Sequence, residues 1–265
     1  MNFLTRLLLF WLLFFAACNT AKQEPLAVVV KQDTVIAKPI RLKPVLILDA
    51  GHGGPDPGGI NDSCKLFEKN VTRRLVDAIY KKIDTNKITV ILTRKKDETI
   101  DRHERIRNAN LYEPDLFLSI HNNFDKDTTI NGFEINISDS TIMHITATDT
   151  VRNQNPNKDS CVKYASILEK NIGKSFPKMK QRKMYVRKDN IWVLCSTLYP
   201  SVMVEFGFIT NKNDLLYLTD KKEIDKFATS VVKSIYNIFR IEDKKSTTVK
   251  GLKKSKAKKR EKYLK

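Results

Sequence analysis

The stretch VLILDAGHGGPDPGG, residues 45–59, decides the fold. It opens with four apolar residues in a row, Val45, Leu46, Ile47 and Leu48. An unbroken run of this kind is the pattern of a strand covered on both faces, as in a parallel sheet. Beyond Ala50 no regular structure can continue: Gly51, Gly53, Gly54, Pro55, Pro57, Gly58 and Gly59 mark a tightly turned loop. His52 is therefore expected just past a strand end, where open α/β sheets place their sites. From this stretch alone, a turn that happens to carry a histidine is an equally good reading.

Outward from this strand, the chain alternates. Phe67, Val71, Leu75, Ile79 and Ile83 recur every fourth residue, which predicts a helix over residues 66–83. Residues 88–93 (ITVILT) read as a strand, residues 100–112 as a helix ended by Pro114, and residues 115–120 (DLFLSI) as another strand. Residues 132–138 (GFEINIS) alternate and predict a half-exposed strand. Residues 139–158 are rich in Asp, Thr and Asn and read as a long surface insertion. A helix comes next around residues 162–172, then two apolar strands, IWVL (191–194) and SVMVE (201–205), and a closing helix over residues 223–239. This alternation predicts a single α/β domain, residues 44–240, with helices on both faces of its sheet.

The two ends differ from the domain. The leader MNFLTRLLLFWLLFFAAC carries one basic residue, Arg6, then an apolar core, two alanines and Cys18. It reads as a secretory signal peptide, too short and wrongly flanked for a stable membrane span. Alanines before a cysteine resemble a bacterial lipobox over residues 1–18, in which Cys18 is lipidated; Phe15 departs from the smaller aliphatic residue usual there. Ordinary cleavage is the alternative. Residues 19–43 are a polar linker, with one early strand expected around residues 27–30. The chain is strongly basic, with a formal net charge of +18. Residues 241–265 hold eleven lysines and arginines against three acids, a net +8, which leaves +10 for the rest. Such a balance invites anionic partners. The tail, however, lacks the interleaved aromatics and apolar periodicity that base stacking or a membrane-surface helix would need. It reads as a disordered basic tail, and an exported chain is expected to bind no nucleic acid. Cys64, Cys161 and Cys195 are an odd, widely spaced set with no disulfide framework and no paired metal-ligand spacing.

His121 directly follows one apolar strand and Glu205 directly follows another, while Glu68 lies in the first turn of the helix after the His52 loop. A carboxylate at the end of an apolar strand is costly unless something uses it. Two histidines and two glutamates thus converge on one sheet edge. Zinc takes imidazole and carboxylate ligands, and a catalytic site keeps one position open. His52, Glu68 and His121 are the three expected ligands, leaving Glu205 as a general base. The ligand spacings of 16 and 53 residues are long and define no motif by themselves. A single strand-end His or Glu is more often a satisfied structural residue. The other two histidines, His103 among helix charges and His144 in the insertion, are assigned no role.

ILDAGHGGPDPGG, EKNVTRRLVDAI, ILTRKKD, ERIRNAN, DLFLSIHNN, GFEI and PSVMVEFGFITNKND, taken in order, resemble the zinc-dependent N-acetylmuramoyl-L-alanine amidases of bacterial cell walls. The resemblance runs from about residue 45 to 239. It implies a single α/β domain with a twisted, mostly parallel sheet, one zinc ion on His52, Glu68 and His121, and Glu205 as the catalytic glutamate. It also implies peptidoglycan as substrate, cut at the amide between N-acetylmuramic acid and L-alanine. Asn122 stands where the family usually has a small residue and is expected to narrow the pocket. The DPGGIND loop also departs from the family, and the 139–158 insertion has no counterpart in a minimal member. The expected protein is an exported monomer facing the periplasm, held to a membrane through Cys18, with a protein activator left open. A stem-peptide metallopeptidase and a non-catalytic peptidoglycan-binding protein are the alternatives.

Overall fold

The computed structural model describes residues 41–144, 150–182, 185–187 and 191–242. The leader, Cys18, the strand expected near residue 28, most of the 19–43 linker and all but the start of the basic tail lie outside the described residues.

The opening stretch forms β1 (Val45–Ala50), in which every residue is buried. β1 pairs in parallel with β4 (Thr89–Leu92) on one side and β5 (Leu116–Asn123) on the other. β5 pairs in parallel with β10 (Ser201–Phe208). β10 pairs antiparallel with β6 (Phe133–Ser138), which in turn pairs in parallel with β9 (Tyr185–Arg187). The six-stranded order is β4-β1-β5-β10-β6-β9, so the sheet is mostly parallel. Two small antiparallel pairs stand apart: β2 (Ile60–Asn61) with β3 (Leu66–Phe67), and β7 (Ser140–His144) with β8 (Thr150–Gln154).

The strand period of two sends successive side chains to opposite faces. Leu46, Leu48, Leu116, Leu118 and Ile120 enter the main core. That core is closed by α1 (Glu68–Tyr80), α3 (Lys158–Ser175) and α6 (Lys221–Ile238). Val71, Leu75 and Ile79 of α1 are fully buried there, each contributing about 1.5–3 kcal/mol of transfer free energy. Ile47 and Phe117 face the other way, under Ala109 of α2 (Arg102–Tyr112). Asp101 caps α2 by accepting from the N–H groups of His103 and Glu104, the role expected of an Asp N-cap.

The expectations shift in a few places. The IWVL strand is instead one helical turn, α4 (Trp192–Cys195); a short apolar run fits a buried helix as well as a strand. β6 is buried along its whole length rather than half-exposed, because β10 and β9 flank it and α3 covers it. Part of the insertion is the β7–β8 hairpin, and α3 starts earlier than residue 162. A short α5 (Asp214–Thr219) precedes α6. Cys64, Cys161 and Cys195 form no disulfide among the described residues.

Both described ends lie at one pole. The Lys43 ammonium donates to the Thr85 carbonyl, and that of Lys87 to the Glu242 carbonyl. Val45 and Thr89, paired there, begin β1 and β4; Ala50, His121 and Glu205 stand toward the opposite edge.

Candidate active site

β1 ends by delivering His52 in a left-handed backbone conformation, φ 61°, rare outside glycine. Its ring is fixed at both nitrogens: Nδ1 lies 2.8 Å from Asp56 Oδ2, and Nε2 lies 3.1 Å from Glu68 Oε1. A carboxylate behind a histidine sets its tautomer and ring plane. Glu68 is the first residue of α1, where the helix dipole favours a negative charge. Its Oε1 accepts from the Asn122 N–H at 3.0 Å and its Oε2 from the Gly59 N–H at 2.8 Å. His121 lies inside β5 rather than past its end, and its Nδ1 is 3.0 Å from Glu68 Oε1. One ligand atom each from His52, Glu68 and His121 lies within 4.8 Å of the others. The structure thus brings together three residues from separate elements.

Glycines make this closeness possible. A Cβ on Gly58 would sit 2.6 Å from both Glu68 Oε2 and His52 Cδ2, and Gly58 has φ 66°. A Cβ on Gly51 would press on the imidazole of His121. Sequence reasoning missed Asp56, although its place four residues after His52 was a usable signal.

Glu205 stands opposite His121 in the β10–β5 register, and opposite Glu134 of β6 on its other side. Its Oε2 is sealed from solvent and has no hydrogen-bond partner among the described residues. Burial, together with the charges of Glu68 and Glu134 and against that of His121, pushes its pKa up to about 7. Burial would also raise Glu68, but hydrogen bonds and charge from His121 and His52 hold it far below the ordinary carboxylate range. Burial would lower His121; hydrogen bonding and charge from Glu68 outweigh it and raise it to about 9. His52 is likewise raised by Glu68 against the effect of burial. Glu134, also overlooked in the sequence, accepts from Asn123 Nδ2 at 2.8 Å and pairs with Arg182 at 3.3 Å.

Asn122 does not narrow the site. Alternation along β5 turns it away from His121; it is 2 % exposed and donates to the Phe206 carbonyl. His103 is exposed on α2, with its ring edge against Trp192. The His144 side chain lies outside the described residues.

Two imidazoles and one carboxylate, preoriented by Asp56 and backbone N–H groups, form a donor set that fits zinc. The orphaned Glu205 oxygen beside it fits a proton acceptor. The sequence profile of the N-acetylmuramoyl-L-alanine amidases matches residues 46–237. The chain belongs to this amidase family. Among curated relatives, the uncharacterized protein YqiI of Bacillus subtilis is 28% identical over 199 residues, covering 75% of this chain and 86% of that protein. The N-acetylmuramoyl-L-alanine amidase LytC of the same organism is 28% identical over 186 residues, covering 70% of this chain. The match spans only 34% of the longer LytC. The crystal structure of an N-acetylmuramoyl-L-alanine amidase from Clostridium difficile 630 shares the fold, with a TM-score of 0.63 at 22% identity, covering 77% of this chain and 100% of that one.

Proposed function

We propose that this chain is a zinc-dependent N-acetylmuramoyl-L-alanine amidase that hydrolyses the amide joining N-acetylmuramic acid to L-alanine in peptidoglycan. The observation that carries the reading is Glu205: a carboxylate with a buried, partnerless oxygen, aligned with His121 at the edge of the three-ligand cluster. His52, Glu68 and His121 would hold the zinc. A zinc ion there would acidify an attacking water and polarise the scissile carbonyl. The Glu205 carboxylate would take a proton from the attacking water and pass it to the leaving amine of L-alanine. Burial raises the Glu205 carboxyl above the usual carboxylate range, the direction that suits a group that both accepts and returns a proton. Asp56 holds the His52 ring, and the Asn122 and Gly59 N–H groups hold Glu68, so the ligands need no rearrangement.

The leader sequence and Cys18 support export and lipid anchoring, with residues 19–43 as tether, the amidase domain to residue 240 and a basic tail after it. Incubation with purified peptidoglycan, followed by mass spectrometry of the fragments with and without a chelator, tests the reading. Free stem peptides beginning in L-alanine, appearing only without chelator, are the expected product. Internally cut peptides would point to a peptidase, and no product with no bound zinc would sink the enzyme reading.

A further inference from the structure

The motifs ILTRKKD and ERIRNAN each bring a buried arginine that the proposed chemistry does not use. We propose that Arg94 and Arg105 are positioning residues: a two-guanidinium clamp that sets where His52 stands relative to Glu68. The inference rests on the zinc reading above and concerns how the ligands are held.

Arg94 is 1 % exposed and, among the described residues, pairs with no carboxylate. Its bonds all go to neutral oxygens. Nε donates to the Ala50 carbonyl at 3.0 Å, and Nη2 donates to the carbonyls of Gly51 at 3.0 Å and Lys69 at 2.7 Å. Lys69 follows Glu68, so one guanidinium ties the turn before His52 to the first turn of the helix that begins at Glu68. Thr72 Oγ1 reinforces the tie by donating to the Gly51 carbonyl at 2.9 Å. A buried cation without an ion pair is expensive, and bridging two elements is what this one accomplishes.

Arg105 grips the same turn from the opposite face of the sheet. Its Nη1 pairs with Asp49 and donates to the Ala50 carbonyl at 2.9 Å, and its Nη2 donates to the His52 carbonyl at 2.6 Å. Three successive carbonyls, of Ala50, Gly51 and His52, are thereby held by two planar forks. The left-handed backbone of His52 is strained for a residue with a Cβ and persists only where its surroundings over-determine it. A lysine in either place keeps a positive charge but has no fork to span two carbonyls.

The test uses the full chain stripped of metal and titrated with Zn2+ against a competing chromophoric chelator, with melting of the metal-free protein measured alongside. Arg94→Lys and Arg105→Lys are each expected to weaken Zn2+ binding by about 10–100-fold. The visible spectrum of the Co2+ form is expected to change with it. If a lysine variant fails to fold, Asp49→Asn/Arg105→Gln removes both charges of that pair and enters the same titration. Variants that melt earlier yet bind Zn2+ within twofold of the wild type would overturn the clamp and leave a merely structural role. A wild-type chain that takes up no Zn2+ would overturn the zinc reading and the clamp with it.

Discussion

Gly51→Ala isolates the site with a single methyl group. Gly51 has no left-handed requirement, so its backbone accepts alanine; the objection is the ring of His121. The new Cβ would lie 2.6 Å from His121 Nδ1 and closer still to Cε1 and Nε2. Unstrained non-bonded contacts sit at about 3.5–4.0 Å, so the imidazole must retreat by about 1 Å. Metal–ligand distances tolerate about 0.2 Å, and misplacing a reacting group by 1 Å costs about 10²-fold. We expect zinc affinity to fall by about 10²-fold, or about 2.7 kcal/mol, and hydrolysis to fall at least as far. The overpacked metal-free protein should lose about 1–3 kcal/mol of stability. The assay is zinc titration together with denaturant unfolding of the metal-free protein. The double variant Gly51→Ala/His121→Ala completes the cycle: stability should return, because the methyl then fills space the ring has left, while zinc should not. Wild-type zinc affinity in Gly51→Ala would refute the reasoning, since it would mean that His121 is not a ligand or that its ring moves freely.

Glu205→Gln should keep stoichiometric zinc and slow hydrolysis by about 10²–10⁴-fold; normal turnover of peptidoglycan would remove the base assignment. His52→Ala and His121→Ala should each lose both metal and activity, as read by metal analysis of the purified variants; full zinc content in either would move the site elsewhere. Burial alone would raise the Asp49 pKa, but Arg105, Ser119 and Thr93 carry it below the ordinary value. Its contribution to stability is therefore present above about pH 4 and is lost as pH falls through the lower folded value. Asp49→Asn should flatten the acid limb of stability against pH, and an unchanged limb in urea titrations would show that Asp49 is not coupled to folding.

The sheet was legible where apolar runs were long and bounded by breakers. Val45–Leu48 and Val202–Val204 announced themselves as unbroken apolar runs, and Glu68 by its place in the first turn of the helix that the Phe67 repeat predicts. The four polar residues singled out in the sequence stood out because each lies beside an apolar strand or in the first turn of an apolar helix repeat. IWVL misled because four apolar residues carry no period. GFEINIS misled because its alternation is between apolar and small polar side chains that are both buried, Asn136 and Ser138 among them. Arg94 and Arg105 were invisible as anything but charged residues, since what distinguishes them is burial and the direction of their guanidinium forks. The closeness of Gly51 and Gly58 to the ligands depends on contacts between segments up to 70 residues apart, which no local pattern encodes.

The shared pole of the two described ends has a practical side. β1 runs about 17 Å from Val45 to Ala50, so the pole that holds Arg41 and Glu242 stands a strand's length from His52. An affinity tag, a fluorescent partner or a bead joined directly at Arg41 or Glu242 would meet the domain at the pole away from His52. A sheet of immobilised molecules would present its cutting edges outward, toward an insoluble polymer too large to diffuse to them.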